Sequence, residues 1–155
     1  MPTEGKVSYY NGSDTTVEQY FPLISIAAPY LEIVEEMTAN EFFRFHLAFK
    51  PLMPDISIQQ ILERVGLQDA AEKQIRYYSS GMKQRIKLAQ AFFSDTQVVL
   101  LDEPTTNLDA SGISLYHEMI REYCNERLVI VSSNDQMEYS FCKTIIDMKQ
   151  LKSTI

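Results

Sequence analysis

The sequence has no segment of the form G-x-x-x-x-G-K-[ST], the loop whose backbone N–H groups and lysine surround nucleotide phosphates. Its five glycines are Gly5, Gly12, Gly66, Gly81 and Gly112. The single Gly-Lys pair, Gly5-Lys6, has no glycine five positions earlier and no Ser or Thr after it, so a complete phosphate nest of that kind is excluded within these residues. Cysteine is scarce as well. Cys124 and Cys142 stand without C-x-x-C spacing, which argues against a disulfide framework or a cysteine-based metal site and fits a reducing compartment. Basic charge is in deficit, with 14 Lys and Arg against 21 Asp and Glu, and the net charge of −7 argues against a nucleic-acid partner. The longest apolar stretch, Phe21 to Leu31, is interrupted by Pro22, Ser25 and Pro29 and falls short of the ~20 residues of a membrane-spanning helix.

What remains is ordinary globular material: 45% apolar and 23% charged residues over 155 positions, enough for one domain with a core. Val7–Tyr10 and Ile24–Ala27 read as short strands, the first closed by Asn11-Gly12 and the second bracketed by Pro22 and Pro29. At Thr38 the pattern turns helical. Thr38 and Glu41 have capping-box spacing, Phe42, Phe45 and Phe49 form an apolar stripe, and Pro51 ends the run. Ser57 and Gln60 repeat the box before Ile58, Ile61, Leu62 and Val65, with Gly66 in a left-handed cap position. A third helix, Ser80–Phe93, turns Met82, Ile86, Leu88, Ala89 and Phe93 inward.

Past Asp109 the expectation is a helix from about Ser111 to Asn125, a strand Leu128–Ser132, a short helix near Gln136–Phe141 and a strand Thr144–Met148. That alternation implies parallel pairing. The Phe and Met stripes read as core, and His46 and His117, on helical patterns, as surface or core residues. The chain divides into amino-terminal strands (1–30), a helical subdomain (38–94) and a carboxy-terminal β-α-β part (95–155).

Two segments carry chemistry. In V-V-L-L-D-E-P-T-T-N-L-D, Val98 to Asp109, four apolar residues read as a buried parallel strand that delivers Asp102 and Glu103 to its carboxyl end, where open α/β sheets place ligands. One carboxylate there suits Mg2+ and the next suits a water. In Y-S-S-G-M-K-Q-R, Tyr78 to Arg85, Ser79 is at the least a helix N-cap. Lys83, Arg85 and Lys87 make the one basic run; near a helix start the dipole slightly disfavours them, so a carboxylate or anion partner is expected unless they form a solvated face.

In this order and spacing the two segments resemble the signature and Walker B segments of ABC-type ATPases, with weaker similarity over almost all of the chain. The resemblance implies an α/β, P-loop NTPase-like ABC ATPase domain, here partial, with a mainly parallel sheet and a helical subdomain. It implies ATP hydrolysis with ATP and Mg2+. Its partners would be a second ATP-binding domain, with each nucleotide held between the phosphate loop of one and the signature of the other, and a transmembrane permease at the inner face of the cell membrane. By resemblance, Ser79 offers its hydroxyl to the γ-phosphate, and Ser80, Gly81 and Met82 offer backbone N–H groups at a helix start. Asp102 holds Mg2+, largely through water. Glu103 orients and deprotonates the attacking water, and Asp109 lies in the loop that crosses the dimer contact.

The chain departs from the family pattern at several positions. Ser80 stands where Gly is usual and Met82 where Gln is usual, a form similar to exporter-type subfamilies. In V-I-V-S-S-N-D, Asn134 takes the place of a His that contacts the γ-phosphate; Asn donates a hydrogen bond but takes up no proton near neutral pH. No Gln follows Ile24–Ala27, since none occurs between Gln19 and Gln59; which residue, Tyr30, Glu32 or another, takes that place stays open, and the Tyr30–Thr38 loop is expected to dock a membrane partner. The opening P-T-E-G-K-V resembles the segment that follows the phosphate-loop helix, so the sequence reads as amino-terminally truncated, with the Walker A loop missing. The Val98–Leu101 strand is then expected to lose a neighbour and leave an open sheet edge. The leading expectation is the ATP-hydrolysing subunit of an exporter-type transporter. A non-catalytic module that lends its signature half-site to an intact partner is one alternative. The other is a soluble ABC-type ATPase outside transport, against which the absence of zinc spacing, long heptads and basic surface argues.

Overall fold

A computed structural model describes residues 9–10, 14–15 and 17–151. Two short strands, β1 (Tyr9–Tyr10) and β2 (Asp14–Thr15), pair antiparallel, with Tyr9 opposite Thr15. Val7, Ser8 and the expected Asn11-Gly12 turn lie outside the described residues. After α1 (Val17–Tyr20), Pro22 sits in a 3-10 turn, Phe21–Leu23, where its fixed φ and missing N–H cost nothing. The turn leads into β3 (Ile24–Ala27).

Both expected capping boxes form. Thr38 accepts from the Glu41 N–H while Glu41 accepts from the Thr38 N–H at 2.8 Å, starting α2 (Ala39–Leu47). Ser57 and Gln60 do the same for α3 (Ile58–Arg64). Gly66, at φ +66°, ends α3, and the Leu67 N–H reaches back to the Leu62 carbonyl at 2.8 Å, as a Schellman-type stop requires. The aromatic stripe of α2 differs from expectation. Its buried face is Ala39, Phe42, Phe43 and His46, whereas Phe45 is 46% and Phe49 60% exposed, their rings 5.0 Å apart on the surface. The i, i+3, i+4, i+7 set that begins at Ala39 wins the core, and the helix ends at Leu47, before Phe49 can share a face with Phe42.

The third long helix, α4 (Ser80–Phe93), has the expected bounds and buries Ile86, Leu88, Ala89, Ala91, Phe92 and Phe93, with Met82 partly buried against the same core. Then come β4 (Val98–Asp102), α5 (Ala110–Tyr123) and β5 (Leu128–Ser132). Beyond β5 two expectations fail. Residues 136–141 form consecutive turns rather than a helix, and residues 144–147 pair with no strand before α6 (Met148–Leu151). Strand formation needs a partner. Thr144–Asp147 finds none among the described residues, and Ile145 and Ile146 are left 68% and 70% exposed.

The main sheet is parallel with order β3-β4-β5; Ile24, Val98 and Leu128 are in register at one end and Ala27, Leu101 and Val131 near the other. The open edge is therefore not where the sequence placed it. The Val98–Leu101 strand is central and paired on both sides, and β5 and β3 are the outer strands. Alternation along the strands divides the sheet into two faces. Ser25, Ala27, Val99, Leu101, Val129 and Val131 face the core, where the Ser25 hydroxyl donates to the Ala91 carbonyl of α4 at 2.7 Å. On the opposite face Val98 is buried, but Ile26 is 44%, Leu128 58% and Ile130 51% exposed, so the outer strands of that face stay apolar and exposed, whereas both faces of a parallel sheet are normally covered.

Candidate functional site

The register brings the carboxyl ends of the three strands together, with Asp102 opposite Ser132. Asp102 is half-buried; Glu103 is exposed and has φ +40°, a left-handed conformation uncommon for a side chain with Cβ. That conformation is held on both sides: the Glu103 N–H donates to the Ser132 carbonyl at 2.9 Å and its own carbonyl accepts from the Thr106 N–H at 3.1 Å. Asn134 lies two residues beyond β5 in a tight turn, in which the Ser133 hydroxyl accepts the Asp135 N–H at 2.8 Å and the Asp135 carbonyl accepts the Glu138 N–H at 3.1 Å. Asp102, Glu103 and Asn134 thus share one end of the sheet.

Ser79 to Met82 form the start of α4. Ser79 is the N-cap and its Oγ accepts the Met82 N–H at 3.2 Å, which leaves the hydroxyl proton free to rotate toward an external acceptor. Ser79 and Ser80 are exposed. Gly81 packs on the loop after β4: a Cβ there would stand 3.0 Å from the Asn107 carbonyl oxygen, a contact that a larger residue makes only if the loop yields by a few tenths of an ångström. One turn on, the buried Gln84 amide donates to the Pro104 carbonyl at 2.8 Å. Asp109 caps α5, accepting from the Gly112 N–H and the Ser111 hydroxyl, each at 2.8 Å. Those two bonds, with the nearby Arg85 charge, hold its carboxyl below the usual carboxylate range. The signature turn and the loop from Pro104 to Asp109 therefore form one packed unit.

The basic run finds carboxylate and carbonyl partners. Lys83 pairs with Glu35 at 2.6 Å, Arg85 lies 3.4 Å from Asp109, and Lys87 donates to the Pro29 carbonyl. Burial pulls the Lys87 ammonium below its ordinary range, against the raising effect of Glu35. Lys83 and Lys87 also line a cleft of about 540 Å3 with Pro29, Tyr30, Glu32 and Glu36. Tyr30 is 91% exposed at its mouth.

Two interior polar residues, Glu138 and Arg127, had no part in the sequence-based expectations, and a third, His46, is placed in the core. Glu138 is 3% exposed and its carboxylate accepts from the Thr105 N–H at 2.7 Å and the Thr105 hydroxyl at 2.5 Å. Arg127, just before β5, donates to the Phe92 carbonyl at 2.6 Å and the Ser94 carbonyl at 3.2 Å, clasping the end of α4. His46 is core: Gln90 donates to its Nδ1 at 3.2 Å, so its Nε2 proton goes to the Ser94 hydroxyl at 2.8 Å, and burial together with Lys50 lowers its pKa. A single charged residue beside an apolar run is a weak signal, and only the fold tells an exposed one from a clasp.

Among the described residues, no three His, Cys, Asp or Glu side chains gather closely enough to hold a metal ion. The donor set at the sheet end, one half-buried carboxylate at Asp102, fits an ion such as Mg2+ that completes its shell with water and substrate phosphates. No helix of the described residues is long and apolar enough to cross a membrane.

Comparison with known proteins bears on the family and the fold. The family model for ABC transporters matches residues 1–106. The ABC transporter ATP-binding protein YybJ of Bacillus subtilis (strain 168) is 26% identical over 151 residues, covering 96% of this chain and 69% of its own length. A second B. subtilis (strain 168) ABC transporter ATP-binding protein, YxlF, is 38% identical over 115 residues, covering 72% of this chain and 39% of its own. Among solved structures, an ABC transporter ATP-binding protein from Pyrococcus furiosus superposes with a TM-score of 0.64 at 14% identity, over 81% of this chain and 63% of that one, which bears on the fold alone. The chain thus spans only part of the proteins it matches. With its signature turn packed on the loop after the central strand and more than half of its length under the family model, the chain belongs to the ABC transporter family, a family of ATPases.

Proposed function

We propose that this chain is the ATP-binding and ATP-hydrolysing component of an ABC membrane transporter of exporter type, working with ATP and Mg2+. The observation that carries the reading is the convergence of Asp102, Glu103 and Asn134 on one sheet end, with the exposed Ser79 turn packed against the loop that follows them. Mg2+, when bound, would neutralise phosphate charge, with Asp102 as its protein ligand. Glu103 accepts the proton of the attacking water. Asn134 donates an amide hydrogen to the γ-phosphate and takes up no proton, so it positions without relaying. Ser79, with the N–H groups of Ser80, Gly81 and Met82, meets a nucleotide held by a second ATP-binding domain, and Asp109 lines the contact between the two.

The cleft around Tyr30, Glu32 and Lys87 is proposed as the seat of the permease, with the domain divided as 1–30, 38–94 and 95–155. The M-K-Q-R form of the signature supports the exporter assignment. A second reading rests on the exposed Ser79 turn: the chain lends Ser79 to a site that another subunit completes. Hydrolysis by the complex purified from its own cells tests the leading reading. Ser79→Ala is expected to lower the rate on the order of tenfold, the loss of one charge-assisted hydrogen bond; an unchanged rate refutes a role for Ser79.

A further inference from the structure

Glu138 is the one buried acidic side chain among the described residues, and no cation pairs with it. Both bonds its carboxylate accepts come from Thr105: the backbone N–H at 2.7 Å and the hydroxyl at 2.5 Å. Its own backbone is fixed as well, the N–H by the Asp135 carbonyl at 3.1 Å and the carbonyl by the Tyr116 hydroxyl of α5 at 2.7 Å. Thr105 lies two residues after Glu103 and four before Asp109, inside a loop with positive φ at Glu103 and Asn107. Left-handed non-glycine residues persist only where the surroundings over-determine them. The carboxylate is thus anchored in the turn that presents Asn134 and grips the loop that presents Glu103.

We infer that Glu138 is a positioning residue: it locks the loop that presents Glu103 and Asp109 and fixes that loop to the Asn134 turn. Gln at this position keeps an acceptor oxygen for Thr105, whereas Ala keeps none. Thr105 is held by two bonds to one oxygen, so truncation of Glu138 frees both of its donors together. The assignment rests on the ATPase reading for its consequence, but not for its geometry.

The test has two parts. In the full chain, amide hydrogen exchange is compared for wild type, Glu138→Ala and Glu138→Gln. The expected result is faster exchange at residues 105–109, on the order of ten- to a hundredfold for Glu138→Ala and less for Glu138→Gln, with the amides of α3 unchanged. Unchanged exchange at 105–109, or a uniform increase throughout, overturns the inference. In the native complex, Thr105→Val is expected to lower kcat about tenfold with KM within twofold, and Thr105→Ser to restore it. Loss through KM alone, or no rescue by Ser, also overturns it. A wild-type complex that hydrolyses no ATP sinks the ATPase reading by itself, and the exchange measurement then decides Glu138 alone.

Discussion

Replacing Arg127 with Met should cost about 3 kcal/mol of folding stability. The guanidinium donates to the Phe92, Ala91 and Ser94 carbonyls at 2.6, 3.3 and 3.2 Å, to the Ser25 hydroxyl at 3.3 Å, and to the Thr96 hydroxyl. Ala91 keeps a second donor in Ser25, so the carbonyls that lose their grip are those of Phe92 and Ser94. Two buried acceptors left without a donor cost about 1–3 kcal/mol each. Against this, burial already pulls the Arg127 pKa down, so removing the charge returns part of its desolvation cost. Arg127→Lys keeps a point charge but cannot span carbonyls and hydroxyls at once, and should cost about half as much. Urea unfolding measures both. With a slope of about 2 kcal/mol per molar, the Met variant's midpoint should fall by about 1.5 M. A shift below about 0.3 M would mean that the end of α4 is held by packing alone.

The His46 ring is held neutral by burial, so the unfolded chain takes up a proton near pH 6.5 that the folded one refuses. Stability should therefore fall as pH drops below 6.5, and His46→Gln should flatten that slope in urea midpoints taken between pH 7 and 5; an unaltered slope contradicts it. On the exposed apolar part of that sheet face, Ile130→Lys should cost under about 0.5 kcal/mol and reduce self-association by light scattering. A cost above about 2 kcal/mol would mean that the face is covered.

Much of the fold could be read from local chemistry. Thr38, Ser57 and Ser79 start helices as their spacing suggested, because an N-cap is decided within four residues. Gly66 stops α3 for an equally local reason. Pairing was not local. Thr144–Met148 has the composition of a strand, yet no strand lies beside it among the described residues, and the outer strands there are β3 and β5 rather than Val98–Leu101, because strand order depends on the whole sheet. The aromatic pattern of α2 misled for a related reason: Phe42, Phe45 and Phe49 share a residue type, but the core chose Phe42, Phe43 and His46. At the site, the exposed groups Ser79, Glu103, Asp109 and Asn134 stood out because their motifs are short and contiguous. The supports beneath them did not. Glu138 and Thr105 are 33 residues apart, and Arg127 reaches across 35 residues to Phe92.

The proposed role of Glu103, activation of the attacking water, is open to one direct measurement. ATP hydrolysis is compared for the complex purified from native cells with this chain either wild type or Glu103→Gln. Loss of a positioned general base should lower kcat by about 10²- to 10⁴-fold while nucleotide remains bound. Hydrolysis at the wild-type rate would contradict the account, and would leave this chain as the lender of Ser79 to a site that another subunit completes.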